Sequence, residues 1–304
     1  MSAPSLQRCQ VAGHSRDGIY HTLALAAPGI AAAARSGQFL AVLPGGDGFR
    51  LRRPFSVHRV GRGGGRPLTI EFSFAVLGHG TQALGGMREG DELDVLGPLG
   101  RPFRPPAAAA ACLLVGGGYG AAPLFLLSEE LRAHGCPVHV LTGAASAERL
   151  FKPAESALLG DSLAVTTDDG SAGRRGLVTD AMPAILAGAG IAQVYACGPM
   201  AMLAAVARTA AAAGVPCQVA VEEQMACGTG ICFSCVVPVF DGAPGLTRMA
   251  RSCTEGPVFD GNAVAWAELA PDPASGGAWR GAGSPPDVSG WGAGSPPRGS
   301  GRAS

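Results

Sequence analysis

Residues 222–235 read Glu-Glu-Gln-Met-Ala-Cys-Gly-Thr-Gly-Ile-Cys-Phe-Ser-Cys, and Cys253 follows after seventeen intervening residues. Cys227, Cys232 and Cys235 thus form C-x4-C-x2-C with one distant cysteine, the ligand order of a plant-type [2Fe–2S] site in which four thiolates hold two irons. Gly228, Thr229, Gly230 and Ser234 are small, so the loop can wrap closely and aim backbone N–H groups at the sulfurs. Two other chemistries compete for these thiols. Zinc held by four cysteines usually takes two short C-x2-4-C pairs, whereas Cys253 stands alone. A thioredoxin-like pair at Cys232 and Cys235 leaves Cys227 and Cys253 without a role. The spacing favours the iron–sulfur reading. A [2Fe–2S] cluster passes one electron at a time, so the remaining chain is read for where electrons enter and leave.

The composition narrows the setting. A chain of 304 residues allows two domains or three small ones, and 47% hydrophobic residues is ordinary for a globular core. A formal net charge of zero gives no electrostatic footprint for nucleic acid or an anionic membrane. Of the 23 Lys and Arg residues only Lys152 is lysine, a coding bias without functional content. Nine cysteines and no apolar leader among residues 1–10 fit free thiols in a reducing, cytoplasmic compartment better than a disulfide framework. Pro105–Ser128 carries no charge and is long enough for a membrane span. Its prolines at 105 and 106 and glycines at 116, 117, 118 and 120 instead predict a buried strand, a turn and a helix start, and a soluble protein.

The expected fold is β plus α/β in three parts and a tail. Residues 1–104, with apolar runs such as Gln38–Leu43, Phe55–Val60, Leu68–Val76 and Glu92–Leu96 between Gly- and Pro-rich turns, predict a small antiparallel β-barrel. Residues 105–218 alternate strand and helix, which predicts a parallel sheet with crossover helices. Helices are expected over 123–134, over 177–187 despite Pro183, and over 201–213. Residues 219–268 hold the cysteines, with a hairpin between Val236 and Arg251 returning Cys253 to the others. In residues 269–304, Gly-Ala-Gly-Ser-Pro-Pro occurs at 281–286 and 292–297, and a disordered Gly/Pro/Ser tail is expected.

Five stretches carry further chemistry. Arg53-Pro54-Phe55-Ser56 resembles the flavin-binding signature of the ferredoxin–NAD(P) reductase superfamily. There an arginine can fork onto a pyrophosphate and a serine hydroxyl can reach the reactive edge of the isoalloxazine. Val76-Leu77-Gly78-His79-Gly80-Thr81 precedes a short helix, where Gly80 and Thr81 would hold a flavin phosphate. In the α/β part, Gly116-Gly117-Gly118-Tyr119-Gly120 lies between strand and helix, as a phosphate cradle needs, although it is not G-x-G-x-x-G. Cys197-Gly198-Pro199-Met200 follows an apolar strand and resembles the nicotinamide-side loop of the same superfamily. Thr167-Asp168-Asp169-Gly170 either faces a ribose or is a plain turn, and nothing decides between NADH and NADPH.

Taken together, the strings Arg-Pro-Phe-Ser, Gly-His-Gly-Thr, Asp-Val-Leu-Gly-Pro-Leu-Gly, Gly-Gly-Gly-Tyr-Gly, Asp-Asp-Gly-Ser and Cys-Gly-Pro-Met, ending in the cysteine loop, resemble the electron-transfer subunit of class B dihydroorotate dehydrogenase. The likeness runs from roughly Cys9 to Ala265. It implies FAD held by Arg53, Pro54, Phe55, Ser56, Gly80 and Thr81, with Phe74 as the aromatic before Gly-x-Gly-Thr. It also implies NAD at Gly116, Gly117, Gly118, Gly120, Cys197, Gly198 and Pro199. The cluster would sit on Cys227, Cys232, Cys235 and Cys253. The implied partner is an FMN-containing catalytic subunit that oxidises dihydroorotate, in a heterotetramer of two of each. Electrons would run from FMN through the cluster and FAD to NAD+, with no essential acid or base from this chain. Phe74 is followed by Ala75 where the family has arginine, which removes one expected flavin contact. Two alternatives are a reductase serving another oxidoreductase and a zinc-stabilised scaffold without flavin.

Overall fold

The apolar runs of the N-terminal third close on themselves. The computed structural model describes residues 3–45, 48–242 and 245–269. Strands β1 (Ser5–Asp17), β2 (Tyr20–Ala26), β3 (Phe39–Leu43), β4 (Arg53–Gly63), β5 (Arg66–Ala75) and β6 (Glu92–Leu99) form a closed barrel in the order β1-β2-β5-β4-β3-β6, every pair antiparallel. Side chains alternate between the faces of a strand, and here the inward set is apolar: Leu23 and Leu25, Ile70 and Phe72, Leu93 and Val95. Helix α1 (Pro28–Ala33) plugs one end with Ile30, and the short α2 (His79–Gly85) crosses between β5 and β6. The sequence does not delimit β1, because only Cys9 and Val11 of its thirteen residues are buried.

From Cys112 the side-chain period changes and so does the layer. Strand β7 (Cys112–Gly117), a 3-10 turn (Gly118–Ala121), α3 (Ala122–Ala133), β8 (Val138–Ala144), α4 (Pro153–Ser156), β9 (Ser162–Thr167), β10 (Arg174–Arg175), α5 (Val178–Gly188), β11 (Gln193–Cys197), α6 (Met200–Ala212) and β12 (Cys217–Ala220) follow. They build a parallel sheet in the order β10-β9-β8-β7-β11-β12. All six residues of β7 are buried, as expected of a strand covered on both faces. The uncharged 105–128 stretch is therefore strand, turn and helix, and no helix among the described residues is long and apolar enough to cross a membrane.

The cysteine segment is a lobe tied to this sheet. Strands β13 (Val236–Phe240) and β14 (Thr247–Arg251) make the expected hairpin, and α7 (Trp266–Leu269) packs on it. Strand β15 (Val258–Asp260) adds to the edge of the sheet, antiparallel to β12. The expected boundary between 218 and 219 thus falls inside β12, and the sheet reaches into the third segment to take 258–260. The tail from residue 270 onward lies outside the described residues.

Barrel and sheet meet along β4 and α3. His58, fully buried on β4, donates from Nδ1 to the Ala122 carbonyl at 2.9 Å and packs against Phe125 and Phe151. Arg59 bridges to Glu155 at 2.8 Å, the Ser36 hydroxyl binds Glu130, and the Tyr20 hydroxyl donates to Arg149 O at 2.7 Å.

Candidate functional site

A cavity opens where the barrel faces the end of β12. Pro54, Phe55 and Ser56 line it from β4, Ser73 from β5, and Gly120, Cys197 and Glu222 from the sheet side. Adjacent arginines of β4 have different roles. Arg52 is engaged by Asp94 in an ion pair at 2.5 Å, whereas Arg53 bonds only its local carbonyls at Leu51 and Arg52 among the contacts described. A Cβ on Gly80 would lie 3.5 Å from both Arg53 Nε and Pro44 Cγ, so the absent side chain leaves a shallow cradle beside the guanidinium. Thr81 Oγ1 accepts the Leu77 and Gly78 N–H groups at 2.9 and 3.1 Å, fixing the start of α2 rather than pointing away from it. An arginine beside a glycine cradle, next to a cavity with a serine hydroxyl in its wall, fits a dinucleotide flavin. Phe74 is not part of that wall. It is 3% exposed, stacked on His21 at 5.5 Å and packed against Phe55 at 5.7 Å, so it supports Phe55 from behind.

A second cavity of about 440 Å³ lies at the carboxyl ends of the parallel strands. Strand order reverses between β7 and β11, and ligands of such sheets bind in the crevice at that point. Gly117, Gly118, Gly143, Thr166, Asp168 and Pro199 are in its wall. Gly120 allows the two strand-end loops to touch: a Cβ there would sit 2.6 Å from Gly198 Cα. Gly116 is a packing glycine, since its Cβ would meet Ala121 Cβ at 2.7 Å. Thr166 Oγ1 is buried without a hydrogen-bond partner among the described residues, a vacant polar atom that a ribose or phosphate would satisfy. Asp168 lines the cavity, while Asp169 is spent on the Ser171 backbone and hydroxyl at 2.9 and 2.6 Å. Cys197 is 2% exposed, and burial, with the Glu222 carboxylate as a lesser cause, pushes its thiol well above its ordinary value.

Tyr119 and Glu222 belong to both cavities, and the Tyr119 hydroxyl is hydrogen-bonded to the Glu222 carboxyl. Sequence reasoning gave neither a role. The one signal for Glu222 is an acidic residue directly after the apolar Val219-Ala220-Val221, at the carboxyl end of a strand.

The four cysteines of the lobe come as two pairs. The Cys227 sulfur accepts the backbone N–H groups of Thr229 and Cys232, each at 3.4 Å. Burial alone would raise its pKa, but these N–H groups outweigh burial and hold it at about 6. The Ser234 hydroxyl, 3.2 Å from Cys232 Sγ, lowers that thiol. Cys235 and Cys253 pack together in the interior, where burial first and Cys235 second push Cys253 up to about 12. Among the described residues no three His, Cys, Asp or Glu side chains converge on one metal ion. Two pairs are what a two-iron cluster asks for, and N–H groups aimed at a sulfur suit a thiolate. The loop needs Gly228 and Gly230 at positive φ, +69° and +86°. Phe39 and Met225 pack with Cys235 and Cys253 and also line the cavity at Pro54, Phe55 and Ser56, so the lobe abuts that cavity directly.

Comparison with known proteins agrees with this architecture. A solved chain of an NADH-dependent reduced ferredoxin–NADP oxidoreductase, studied for flavin-based electron bifurcation, superposes with a TM-score of 0.75 over 86% of this chain and 91% of its own, at 31% identity. The ferredoxin reductase of a carbazole 1,9a-dioxygenase shares the fold, with a TM-score of 0.58 at 19% identity over 70% of this chain and 67% of its own. Fold and site define a flavin- and nicotinamide-binding reductase of the ferredoxin reductase type with a C-terminal iron–sulfur lobe. The model of the iron–sulfur cluster binding domain of dihydroorotate dehydrogenase B matches residues 222–265. The electron transfer subunit of dihydroorotate dehydrogenase B (NAD(+)) of Desulforamulus reducens is 37% identical over 241 residues, 79% of this chain and 90% of that protein. That of Listeria monocytogenes is 36% identical over 75% of this chain and 86% of its own. The chain belongs to the family of dihydroorotate dehydrogenase B electron transfer subunits.

Proposed function

We propose that this chain takes electrons from an FMN-containing subunit that oxidises dihydroorotate and passes them through a [2Fe–2S] cluster and FAD to NAD+, in pyrimidine biosynthesis. The observation that carries the reading is the shared packing of Phe39 and Met225, which puts the cysteine lobe against the cavity lined by Pro54, Phe55 and Ser56. Bound there, FAD would exchange a hydride with NAD on one side and single electrons with the cluster on the other.

The chain's own residues then divide as follows. Cys227, Cys232, Cys235 and Cys253 hold the cluster. Arg53, Pro54, Phe55, Ser56, Gly80 and Thr81 hold FAD, with Arg53 on the pyrophosphate and Ser56 on the isoalloxazine, and Phe74 backs Phe55. Gly117, Gly118 and Pro199 receive the nicotinamide nucleotide, Gly120 and Gly198 let the two strand-end loops meet, Cys197 stands on the flavin side, and Gly116 keeps the turn tight against β7. Segments 1–104, 105–218 and 219–268 serve FAD, NAD and cluster in turn, with β15 structurally part of the nucleotide sheet and Leu269, expected in the tail, closing α7. Nine free thiols support a cytoplasmic setting.

The face for the partner is beside the cluster. Cys232 is exposed, and its neighbours Ile231 and Phe233 are 79% and 59% exposed. Phe233 is held outward at φ +58°, with the Arg251 guanidinium 5.1 Å from its ring. Apolar side chains presented around an electron port suit a permanent partner, and we assign a complex of two copies of each subunit.

The test is dihydroorotate-driven NADH formation by this chain co-expressed with the FMN dehydrogenase of the same genome, each subunit alone serving as control. NADH from the pair only is the expected result. A pair that binds all its cofactors, makes no NADH, yet oxidises NADH with an artificial acceptor would make the chain a reductase for another partner.

A further inference from the structure

The two cavities share only Tyr119 and Glu222 among their wall residues. A hydride moves between atoms about 3–3.5 Å apart, so a nicotinamide ring reacting with a flavin has to reach that shared wall. Glu222 is half-buried and stands in the wall of both cavities. Two of the titratable groups around it are neutral. Tyr119 and Cys197 are both pushed up and stay neutral, Tyr119 mainly by the Glu222 charge and Cys197 mainly by burial. Glu223 in the flavin-side wall and Arg149, Asp168 and Tyr20 in the nucleotide-side wall complete the titratable set.

NAD+ and NADH differ at one place. The oxidised ring carries a positive charge, and the ring that has accepted a hydride carries none. We propose that the Glu222 carboxylate makes this site discriminate between the two redox forms, holding the cationic ring of NAD+ more tightly than the neutral ring of NADH. This rests on NAD+ being the acceptor and adds the residue that biases its exchange for product. Attraction between opposite charges at short range is strong away from bulk water and disappears when one partner is neutralised. Burial pushes Glu222 up to about 7, with the Tyr119 hydrogen bond opposing. A raised carboxyl is ionised only above that value, so the preference for NAD+ grows as pH rises through about 7. NAD+ binding near neutrality also releases a proton.

The experiment uses the full chain carrying FAD and cluster, titrated with NAD+ and with tetrahydro-NAD, whose neutral ring has no hydride to give. Calorimetry gives the two dissociation constants from about pH 6 to about pH 8. The expected ratio favours NAD+ increasingly with pH. Glu222→Gln is expected to lower that ratio about tenfold at the upper pH and flatten its pH dependence, while Glu222→Asp keeps both. A glutamine variant that weakens both ligands equally, or leaves the ratio unchanged, overturns the inference and leaves the electron-transfer reading intact. A flat ratio in the unmodified protein overturns it without any variant. Failure of the unmodified protein to bind either ligand overturns inference and reading together.

Discussion

Ala220 on β12 and Val258 on β15 are antiparallel partners, so the chain leaves the nucleotide sheet and re-enters it at the same point. All four cysteines of the lobe lie between these two residues. The neck is tight: a Cβ on Gly256 would fall 2.3 Å from the Phe259 ring and 3.0 Å from Ser252 O. Gly256→Ala should therefore destabilise the protein by about 1–3 kcal/mol and lower its iron content, because the neck must open to admit the methyl group. Thermal unfolding and iron analysis on the same preparation check this.

Arg52 and Arg53 should separate cleanly on substitution. Arg53→Ala is expected to weaken FAD binding at least about tenfold with the barrel intact, since charge-assisted forks to a pyrophosphate are strong. Arg52→Ala leaves Asp94 without its partner and should lower barrel stability by up to about 1 kcal/mol without releasing flavin. Flavin released on ultrafiltration reports the first effect and urea unfolding the second.

Phe233→Asp places a charge in the exposed apolar patch beside Cys232. The proposed complex with an FMN subunit should weaken by about 2 kcal/mol or more, as for a central aromatic anchor. NADH oxidation with ferricyanide should be unchanged. Size-exclusion chromatography of the mixed subunits reads the first and absorbance the second.

His58 predicts the acid response. Burial lowers its pKa from 6.5 to about 4, with Lys152 and Arg59 adding to the effect and the Ala122 hydrogen bond opposing it. A histidine depressed in the folded state binds its proton only on unfolding, so stability is full above pH 6.5 and falls as pH drops toward 4. The loss attributable to His58 is about 3 kcal/mol across that window, and His58→Gln should remove it. Urea unfolding at a series of pH values measures both slopes.

Much of this was legible in the sequence because the deciding features are local. The cysteine spacing, the glycine turn after an all-buried β7 and Cys-Gly-Pro after β11 are each set by a few consecutive residues. The Val236–Arg251 hairpin was legible for the same reason. What was hidden depends on the tertiary fold. The pairing of Ala220 with Val258 joins segments far apart in the chain, and three apolar residues at 257–259 do not announce a sheet edge. The difference between Arg52 and Arg53 depends on Asp94 from another strand. Phe74 reads as a ligand contact by motif but is buried behind Phe55, and Glu222 gains meaning only when two cavities meet at its carboxyl.

The central claim is that electrons reach NAD+ through a cluster held by these cysteines. Cys227 is the proposed ligand to remove, because its sulfur already collects two backbone N–H groups. The measurement is dihydroorotate-driven NADH formation by the complex carrying Cys227→Ala, beside its NADH–ferricyanide activity and its visible spectrum. The account predicts that cluster absorbance and dihydroorotate-driven NADH formation are lost while flavin and NADH–ferricyanide activity remain. A Cys227→Ala complex that keeps a full cluster, or makes NADH from dihydroorotate without one, would contradict it.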